Sequence, residues 1–320
     1  MVSFIIIGKN ESSHIEKCIK GVYDSIHYAD IDKYEIIYVD SNSSDNTIDL
    51  VKKFPEVSIY NIYKGQSPAS GRNLGAKNAC YDLLFFIDGD NVINPDFLKK
   101  AIEEYHNKSG VFFTGPHNNS YFDKKTGKTF KKRYDLTNSA FKTATGWFVI
   151  DKKTFDSVSG FDERYKKPGG EDYDLTLRLK NSGVRIKYLE EIVSTHYTIL
   201  YHHPRRLWKM IFNRTQLYAR PLLYRRHFFD KYMWPIIIGR EYTLICLIFC
   251  LILSFASDNM YVLLGYLVAT FLKSAIQKNR PFYEFFARIP YYFLRDITTM
   301  LGFFFFWPRK PQHVKWEKIK

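Results

Sequence analysis

The stretch YDLLFFIDGDN, residues 81–91, is the strongest predicted strand of the chain, and it ends in two carboxylates, Asp88 and Asp90. Two earlier runs rich in β-branched and aromatic side chains are VSFIIIG at residues 2–8 and YEIIYVD at residues 34–40. Polar capping residues and a segment with helical spacing follow each of these runs. Strands that alternate with helices predict an α/β fold with a mainly parallel sheet.

The composition is that of a folded, basic protein. Of its 320 residues, 46% are hydrophobic and 18% aromatic, which excludes a disordered chain. The net charge is +14, with 28 basic and 27 acidic side chains in residues 1–203 and 19 basic and 6 acidic ones in residues 204–320. Because the basic excess coincides with the apolar runs, it indicates a membrane surface as a partner and argues against nucleic acid.

The four cysteines, Cys18, Cys80, Cys246 and Cys250, form no C-x-x-C pair and no metal-ligand spacing. We expect all four to be reduced residues of a core or of a lipid-facing surface, as suits a catalytic domain on the cytoplasmic side of the cell membrane. The N-terminal MVSFIIIGKNESS has an apolar run only as long as a strand and no basic region before it. We therefore expect no cleaved signal peptide.

Acidic residues close several of the predicted strands, where ligands of parallel α/β sheets bind. After the first strand only Gly8 is present, so the G-x-G-x-x-G of dinucleotide-binding folds is missing, and no P-loop motif occurs. Asp88 and Asp90, one residue apart, suit a single hard cation such as Mg²⁺ or Mn²⁺ whose other ligands are phosphate oxygens. A solvated Asp-Gly turn explains the same residues equally well.

The segment GGEDYDL, residues 169–175, is the second chemical signal. Its glycines let the loop approach a ligand, and Glu171 and Asp172 fall in the first turn of a predicted helix. One of these carboxylates can serve as a general base. Acidic residues at a helix N-terminus are also favoured for purely structural reasons.

With these motifs in place, the chain resembles a family 2 glycosyltransferase with the GT-A fold, a Rossmann-like nucleotide-diphospho-sugar transferase. The resemblance covers about the first two hundred residues. Six pieces carry it in order: IIIGKNE, YVDSNSSDNT, GRNLGAKNA, FIDGDN, TGWFVIDKKTFDSVSGFDERY and GGEDYDLTLRL.

The resemblance implies a nucleotide-binding role for five residues. Asp40 would bind the base, and Glu11 would lie at the mouth of the same pocket. Arg72 would approach the nucleotide or its diphosphate. Asp88 would bind ribose or a metal-bound water, and Asp90 would ligate Mn²⁺ or Mg²⁺ directly.

It also implies an inverting transfer from a nucleotide sugar, for which we expect a UDP-sugar. Asp172 would be the base, with Glu171 in reserve. His196 falls where some members supply a third metal ligand, although a hydrogen-bonded histidine at a strand end is an alternative. Trp147 would stack on a sugar, unless it belongs to the core.

The sequence departs from the processive members of the family, which carry Q-x-x-R-W after the E-D motif. Here Gln216 is followed by Arg220, one residue too far, and Pro221 replaces the tryptophan. We therefore expect one sugar to be transferred per binding event.

The last third of the chain predicts a membrane region. Residues 204–235 interleave eight basic residues with aromatic and aliphatic ones, as interfacial amphipathic helices do. Within residues 236–320, an apolar hairpin is predicted at about 242–272. Each of its two runs is shorter than a full membrane span, so the hairpin would either cross the bilayer or enter one leaflet only. A crossing is favoured because the flanks are basic while the connector has no Lys or Arg. A third apolar segment at about 289–307 is predicted to be interfacial or re-entrant, because crossing would place the basic tail outside.

The acceptor suggested by this architecture is a membrane-embedded lipid, such as a polyprenyl phosphate or a lipid-linked sugar. The leading hypothesis is therefore an enzyme that extends a glycan or a lipid-linked glycan, with membrane lipid as a further partner. Arg295, in the third apolar segment, would hold a phosphate at the interface or pair with Asp296. Two other functions stay open. One is synthesis of a polyprenyl-phosphate sugar, and the other is a non-catalytic membrane scaffold that retains the fold.

Overall fold

The chain forms two units. The computed structural model describes residues 1–108, 110–122, 129–135, 146–199, 212–213, 215–276, 282–308 and 310–320. Met1–Leu200 and Lys310–Lys320 make up the first unit, and Tyr201–Arg309 make up the second.

The first unit contains these strands: β1 (Val2–Gly8), β2 (Tyr34–Asp40), β3 (Val57–Lys64), β4 (Leu83–Asp88), β5 (Asn91–Ile93), β6 (Phe112–Thr114), β7 (His117–Phe122), β8 (Thr129–Asp135), β9 (Phe148–Asp151), β10 (Lys187–Tyr188), β11 (Ser194–Ile199) and β12 (Lys315–Lys318). Its helices are α1 (Ile15–Tyr28), α2 (Thr47–Lys52), α3 (Pro68–Asn78), α4 (Pro95–His106), α5 (Lys152–Ser157) and α6 (Glu171–Asn181).

A large mixed sheet has the strand order β10-β6-β9-β4-β1-β2-β3-β12. Strands β4, β1, β2 and β3 are parallel, so their carboxyl ends meet at one edge. A smaller sheet, β5-β11-β7-β8, contains β11, and β5 begins just after β4. The predicted α/β fold is confirmed, whereas the large sheet is mixed, with four parallel and three antiparallel strand pairs.

The runs of consecutive apolar residues arise because the large sheet is covered on both faces. Phe4, Ile6 and Phe85 point into one core with α1 and α4. Ile5 and Phe86 point into the other, which includes residues of α3, α5 and α6.

The predicted membrane region of residues 236–320 was wrong in one respect, since the basic tail belongs to the first unit. There β12 pairs antiparallel with β3 at the edge of the large sheet. Backbone hydrogen bonds, which the hydrophobic pattern does not report, decide this placement. The predicted boundary at residue 203 lies beside the junction at Leu200 and Tyr201.

The second unit is helical in its described part. Its helices are α7 (Thr215–Arg226), α8 (Met233–Ser257), a 3₁₀ turn (Met260–Val262), α9 (Leu263–Ile276) and α10 (Phe282–Phe305). The predicted hairpin corresponds to α8 and α9, and the third apolar segment to α10. Within the predicted interfacial stretch 204–235, residues 204–211 and 214 lie outside the described residues.

Helix α8 bends by 80° at Glu241, between Met233–Gly239 and Glu241–Ser257. By length and composition these two pieces together would suffice for a membrane span, whereas none of the described helices is long and apolar enough by itself.

Buried ion pairs join the helices of the second unit. The Arg295 guanidinium lies 2.6 Å from Asp296, 3.1 Å from Glu241 and 2.9 Å from the Thr243 hydroxyl. Arg220 contacts the other oxygen of Glu241 at 3.1 Å. Of the two interpretations of Arg295, the structure therefore supports the local pair with Asp296. Carboxylates, from Asp296 and Glu241, contact its guanidinium where the other interpretation places a phosphate.

The cysteines are free thiols. Cys18 and Cys250 are buried and Cys246 is half-buried, whereas Cys80 is exposed. The expectation that all four lie in a core or on a lipid-facing surface was wrong for Cys80. It occupies the turn before β4, outside the packed layers.

Replacing Gly75 of α3 with alanine should destabilise the first unit by about 1–3 kcal/mol. A Cβ atom there would lie 2.3 Å from Cγ2 of Ile5 on β1, so the helix and the sheet have to separate. The melting temperature measured by circular dichroism should fall by several degrees. Lys77→Ala, an exposed site on the same helix, is the control and should change little. Equal melting temperatures for both variants would contradict this close packing.

Candidate active site

A cavity of about 470 Å³ opens at the carboxyl ends of the parallel strands. Its wall carries four carboxylates, from Glu11, Asp88, Asp90 and Glu171. It also carries four basic side chains, from Lys9, Arg72, Lys166 and Lys167. Such a mixture suits a ligand with an anionic part and a bound cation.

Arg72 joins the two acidic motifs. Its side chain is buried in α3 at 4% exposure, with Nη2 2.6 Å from Oδ1 of Asp88 and Nη1 3.7 Å from Oε1 of Glu171. The guanidinium also lies over the ring of Phe161 at 5.2 Å. Arg72 therefore lines the cavity and is held in position by its two carboxylate partners, while its approach to a nucleotide stays a prediction.

Asn73, the next residue of the GRN motif, ties α3 to the loop that precedes the GGED segment. Its Nδ2 donates to the Phe161 carbonyl at 2.9 Å and to Glu163 at 3.0 Å. Its Oδ1 accepts from the Phe161 amide at 2.8 Å. Two adjacent residues of one motif, Arg72 and Asn73, therefore contact Asp88 on one side of the cavity and the loop that leads to α6 on the other.

The loop after β1 is held to the loop after β2. The amide of Asn10 donates to the Ser43 hydroxyl at 2.9 Å, and the amide of Glu11 donates to the Thr47 hydroxyl at 2.9 Å. In this loop, Glu11 lines the cavity near Asp88 and Asp90. Burial and then repulsion by Asp90 and Asp88 raise the pKa of Glu11 to about 8. Burial also raises the pKa of Asp88, although Arg72 opposes it.

Asp90 faces His196, which lies on β11. Their Oδ2 and Nε2 atoms are 3.1 Å apart, while Nδ1 of His196 is 2.8 Å from Oδ1 of Asn119. Asn119 directs its amide nitrogen to His117 at 3.3 Å, so its oxygen must accept the Nδ1 proton of His196. In the neutral imidazole, Nε2 then turns a lone pair toward a carboxylate oxygen. A proton or a cation between these two atoms removes that conflict.

This donor set fits a divalent cation. Two protein ligands leave positions for phosphate oxygens, as is usual for Mg²⁺ and Mn²⁺. No group of three or more histidine, cysteine or carboxylate side chains converges as a metal site within the part of the chain that the structure describes. The predicted ligands Asp90 and His196 are brought together, and Asp88 lies beside them with one oxygen engaged by Arg72.

Trp147 lies behind this pair. Its ring is 4.6 Å from that of His117 and 5.6 Å from that of His196, and it is 7% exposed within the hydrophobic core. Of the two interpretations of Trp147, the structure therefore supports the core residue.

Glu171 and Asp172 begin α6 on the opposite wall. Glu171 lines the cavity, is buried, and accepts a hydrogen bond from the Gly169 amide at 2.7 Å. Burial and the neighbouring Asp172 raise the pKa of Glu171 above its ordinary value. Asp172 is only partly buried and accepts hydrogen bonds from the amides of Gly170 and Tyr173.

Asp40 lies beneath the cavity at the end of β2. Its carboxylate is fully buried and accepts hydrogen bonds from the Tyr38 hydroxyl at 2.9 Å and from the amide and hydroxyl of Ser43 at 2.6 Å each. It braces the turn, and its neighbour Ser41 lines the cavity. Its implied contact with the base stays a prediction.

Sequence reasoning missed Lys166, Lys167 and Gly146. The two lysines lie just before the GGED motif, with only Pro168 between them and Gly169, and that position was the available signal. Gly146 lies against Asp88, where a Cβ atom would be 2.0 Å from Oδ2. A contact between residues so far apart in the chain has no sequence signal.

A mixed sheet whose central parallel strands carry carboxylates at one edge, shared with the two solved structures described below, defines this architecture as a GT-A fold. Residues 3–162 match the family model of Glycosyl transferase family 2, and residues 128–203 match the family model of the N-terminal domain of galactosyltransferase. Since the first match spans half of the chain, the chain belongs to glycosyl transferase family 2.

Two curated relatives agree with this assignment. Glycosyltransferase AglE of Haloferax volcanii is 26% identical over 210 residues, which cover 61% of this chain and 66% of that protein. The poly-beta-1,6-N-acetyl-D-glucosamine synthase of Staphylococcus aureus is 27% identical over 201 residues, covering 58% and 47%. The chain thus spans between about half and two thirds of the length of these relatives.

Two solved structures share the fold. TarS of Staphylococcus aureus in complex with UDP has a TM-score of 0.50 and 16% identity, covering 94% of this chain and 91% of that one. Mannosyltransferase PcManGT of Pyrobaculum calidifontis, in complex with GDP-Man and Mn²⁺, has a TM-score of 0.57 and 14% identity, covering 95% and 87%. At these identities the likeness concerns the fold alone.

The metal-free protein should lose stability as the pH rises from about 4.5 to about 8, in part because of Glu11. Its pKa in the folded protein, about 8, exceeds its ordinary value of 4.5, so the folded state holds the proton more tightly and loses this stabilisation as the proton leaves. The difference in melting temperature between Glu11→Gln and the wild type should therefore be larger, in favour of the variant, at pH 8 than at pH 5. Melts with a chelator test this expectation. The control is Glu16→Gln, which changes the next glutamate in the sequence. The same pH trend in both variants would contradict the argument.

Proposed function

We propose that the protein is a membrane-associated inverting glycosyltransferase that moves one sugar from a nucleotide-diphosphate donor to a glycan or lipid-linked acceptor. The expected donor is a UDP-sugar, and the expected cofactor is Mn²⁺ or Mg²⁺. One observation carries the proposal. A single cavity is lined by Asp90, whose carboxylate contacts His196, by Arg72 and three lysines, and by Glu171, which begins α6 next to Asp172.

The donor end of the reaction rests on charge. Asp90 and His196, with Asp88 beside them, would hold the cation, which when bound neutralises the charge that grows on the departing diphosphate. Arg72, Lys166 and the other basic residues of the cavity wall bind and orient the phosphates. The neighbouring carboxyl groups of Glu11, Asp88 and Asp90 support a cation at this end of the site.

The acceptor end rests on the carboxylates of α6. An acceptor hydroxyl must lose its proton as it attacks the anomeric carbon, and Asp172 accepts that proton. Glu171, whose Oε2 is held by the Gly169 amide, positions Arg72 from the same helix turn. One displacement without an enzyme nucleophile inverts the anomeric centre.

The membrane association rests on exposed apolar side chains of the second unit. Phe249, Ile252 and Phe255 of α8 and Leu264 and Val268 of α9 are each more than half exposed, and Phe255 reaches 93%. Contiguous apolar surface of this kind marks a protein or membrane contact. The basic excess after residue 204 favours an anionic bilayer, on the cytoplasmic side of the cell membrane.

The position of the tail supports an interfacial or re-entrant α10. Because β12 pairs with β3, the chain leaves the first unit after Leu200 and returns to it at Lys310. Both ends of the helical segment are therefore tethered to one unit. An odd number of crossings would place those ends on opposite sides of a bilayer.

Asp172→Asn should lower kcat by about 10²–10⁴-fold and leave nucleotide affinity nearly unchanged, because it removes only the base. Asp90→Ala should abolish Mn²⁺-dependent stabilisation by nucleotide. The measurements are thermal melts of the full chain in detergent against UDP-, GDP-, TDP- and CMP-sugars with and without Mn²⁺, followed by release of nucleoside diphosphate with a lipid extract of the source organism as acceptor. Asp156→Asn, an exposed carboxylate of α5, is the matched control.

Two results would change this proposal. Activity of Asp172→Asn within about tenfold of the wild type would show that the nucleophile is already an anion, as in polyprenyl-phosphate sugar synthesis. No nucleotide binding to the wild type would contradict a transferase and favour a non-catalytic scaffold.

The full chain should float with vesicles that contain anionic lipid, and the double variant Phe249→Asp with Ile252→Asp should reduce the bound fraction at least about tenfold. Each apolar side chain buried in lipid contributes roughly 1.5–3 kcal/mol, which the charged replacements remove. Tyr63→Asp changes an exposed aromatic residue of the first unit and should leave flotation unchanged. Equal flotation of both variants would contradict the assigned surface.

A further inference from the structure

A second, smaller cavity adjoins the donor cavity on the side of the C-terminal tail. It measures about 110 Å³ and shares Gln66 and Lys166 with the donor cavity of about 470 Å³. Glu163 completes one wall, and Pro311 and Gln312 of the tail form the other. The tail thus contributes residues to a cavity that shares part of its wall with the proposed donor site.

The tail is anchored as part of the sheet. Residues Lys315, Trp316, Glu317 and Lys318 pair with β3, and the Ile319 amide donates to the Ile59 carbonyl at 2.8 Å. Side chains add to this pairing, since Asn61 donates to Glu317 at 3.1 Å and the ring of Trp316 packs edge-on against Tyr60. Pro311 and Gln312 are therefore held in place from the strand that follows them.

The tail lies close to Gly65 in the loop after β3. Gly65 has a φ of +78°, and a Cβ atom would lie 3.3 Å from the Gln312 carbonyl oxygen and from Cα of Val314. Glycine relieves both the left-handed backbone and the close contact. The backbone of Gln312 is consequently fixed against the loop that also carries Gln66.

The sheet gives the direction of this subsite from the cation end. Neighbouring strands lie about 4.8 Å apart, so the end of β3 is roughly 14 Å from the end of β4, across β1 and β2. Asp88 and Asp90 follow β4, while Gln66 follows β3. The donor cavity runs from Asp88 and Asp90 past Ser41, after β2, to Gln66, so a nucleoside diphosphate whose phosphates lay at the β4 end would extend its ribose and base toward β3.

We propose that the subsite walled by the tail receives the outer edge of the nucleotide base, and that Gln312, together with Gln66, determines which base is accepted. A carboxamide offers one acceptor and two donor hydrogens, so two of them can recognise the hydrogen-bonding edge of a base. The inference deepens the proposed function and rests on a nucleotide donor. It makes the tail a specificity element of the site, as well as an edge strand.

The test is isothermal titration of the full chain in detergent with UDP, GDP and inorganic pyrophosphate, each with Mn²⁺. Gln312→Ala should weaken the preferred nucleotide about tenfold, the loss expected for one to two hydrogen bonds, and should narrow the difference between UDP and GDP. Pyrophosphate, which occupies only the cation end, should bind as in the wild type. Lys315→Ala, in the same strand but outside the cavity, is the matched control for tail docking.

The outcomes separate the two proposals. Unchanged affinities for both nucleotides in Gln312→Ala, with tight binding to the wild type, would overturn the tail subsite and leave the transferase intact. An equal loss for pyrophosphate would also overturn it, because the substitution would then act on the whole site. A wild type that binds pyrophosphate and neither nucleotide would overturn the proposed function itself.

Discussion

The buried guanidinium of Arg72 is the interaction on which the site depends. It contacts Asp88 at the end of β4 and Glu171 at the start of α6, which are separated by 83 positions in the sequence. A charge at 4% exposure is tolerable only when it is paired, so each carboxylate also keeps the other in position through the arginine. Asn73 fixes the same helix to the loop before α6. The two halves of the cavity are therefore aligned by consecutive residues of one helix.

Charge balance is the second constraint. Glu11, Asp88 and Asp90 accumulate negative charge at one edge of the sheet, and Arg72 pairs only with Asp88 among these three. The facing lone pairs of Asp90 and His196 add to this excess when the imidazole is neutral. In the metal-free state these like charges repel one another, and this repulsion, together with burial, raises the pKa of Glu11. The same repulsion becomes attraction for a cation.

In the sequence, the second unit is inserted into the first. Residues 201–309 are an insertion between β11 and β12, because the tail adds the last strand beside β3. A docked edge strand also covers hydrogen-bonding groups that β3 would otherwise expose. Its residues Pro311 and Gln312 reach the small cavity next to the donor site. A chain that ended after the apolar segments would lack both features.

The sequence alone determined the α/β fold, the strands that carry the carboxylates, and the motif residues of the cavity. It did so because buried parallel strands are continuous apolar runs, and their polar ends are local in the chain. Six ordered motifs also identified the family. The tertiary structure decided what depends on distant contacts: the pairing of Arg72 with Glu171, the partner of Nδ1 in His196, and the burial of Asp40 beneath the cavity. The tertiary structure also decided that the tail adds a strand to the large sheet, although its basic, mixed sequence resembles a solvated segment. Backbone hydrogen bonds to β3 hold that strand, and backbone groups are the same in every residue, so no side-chain pattern could reveal them.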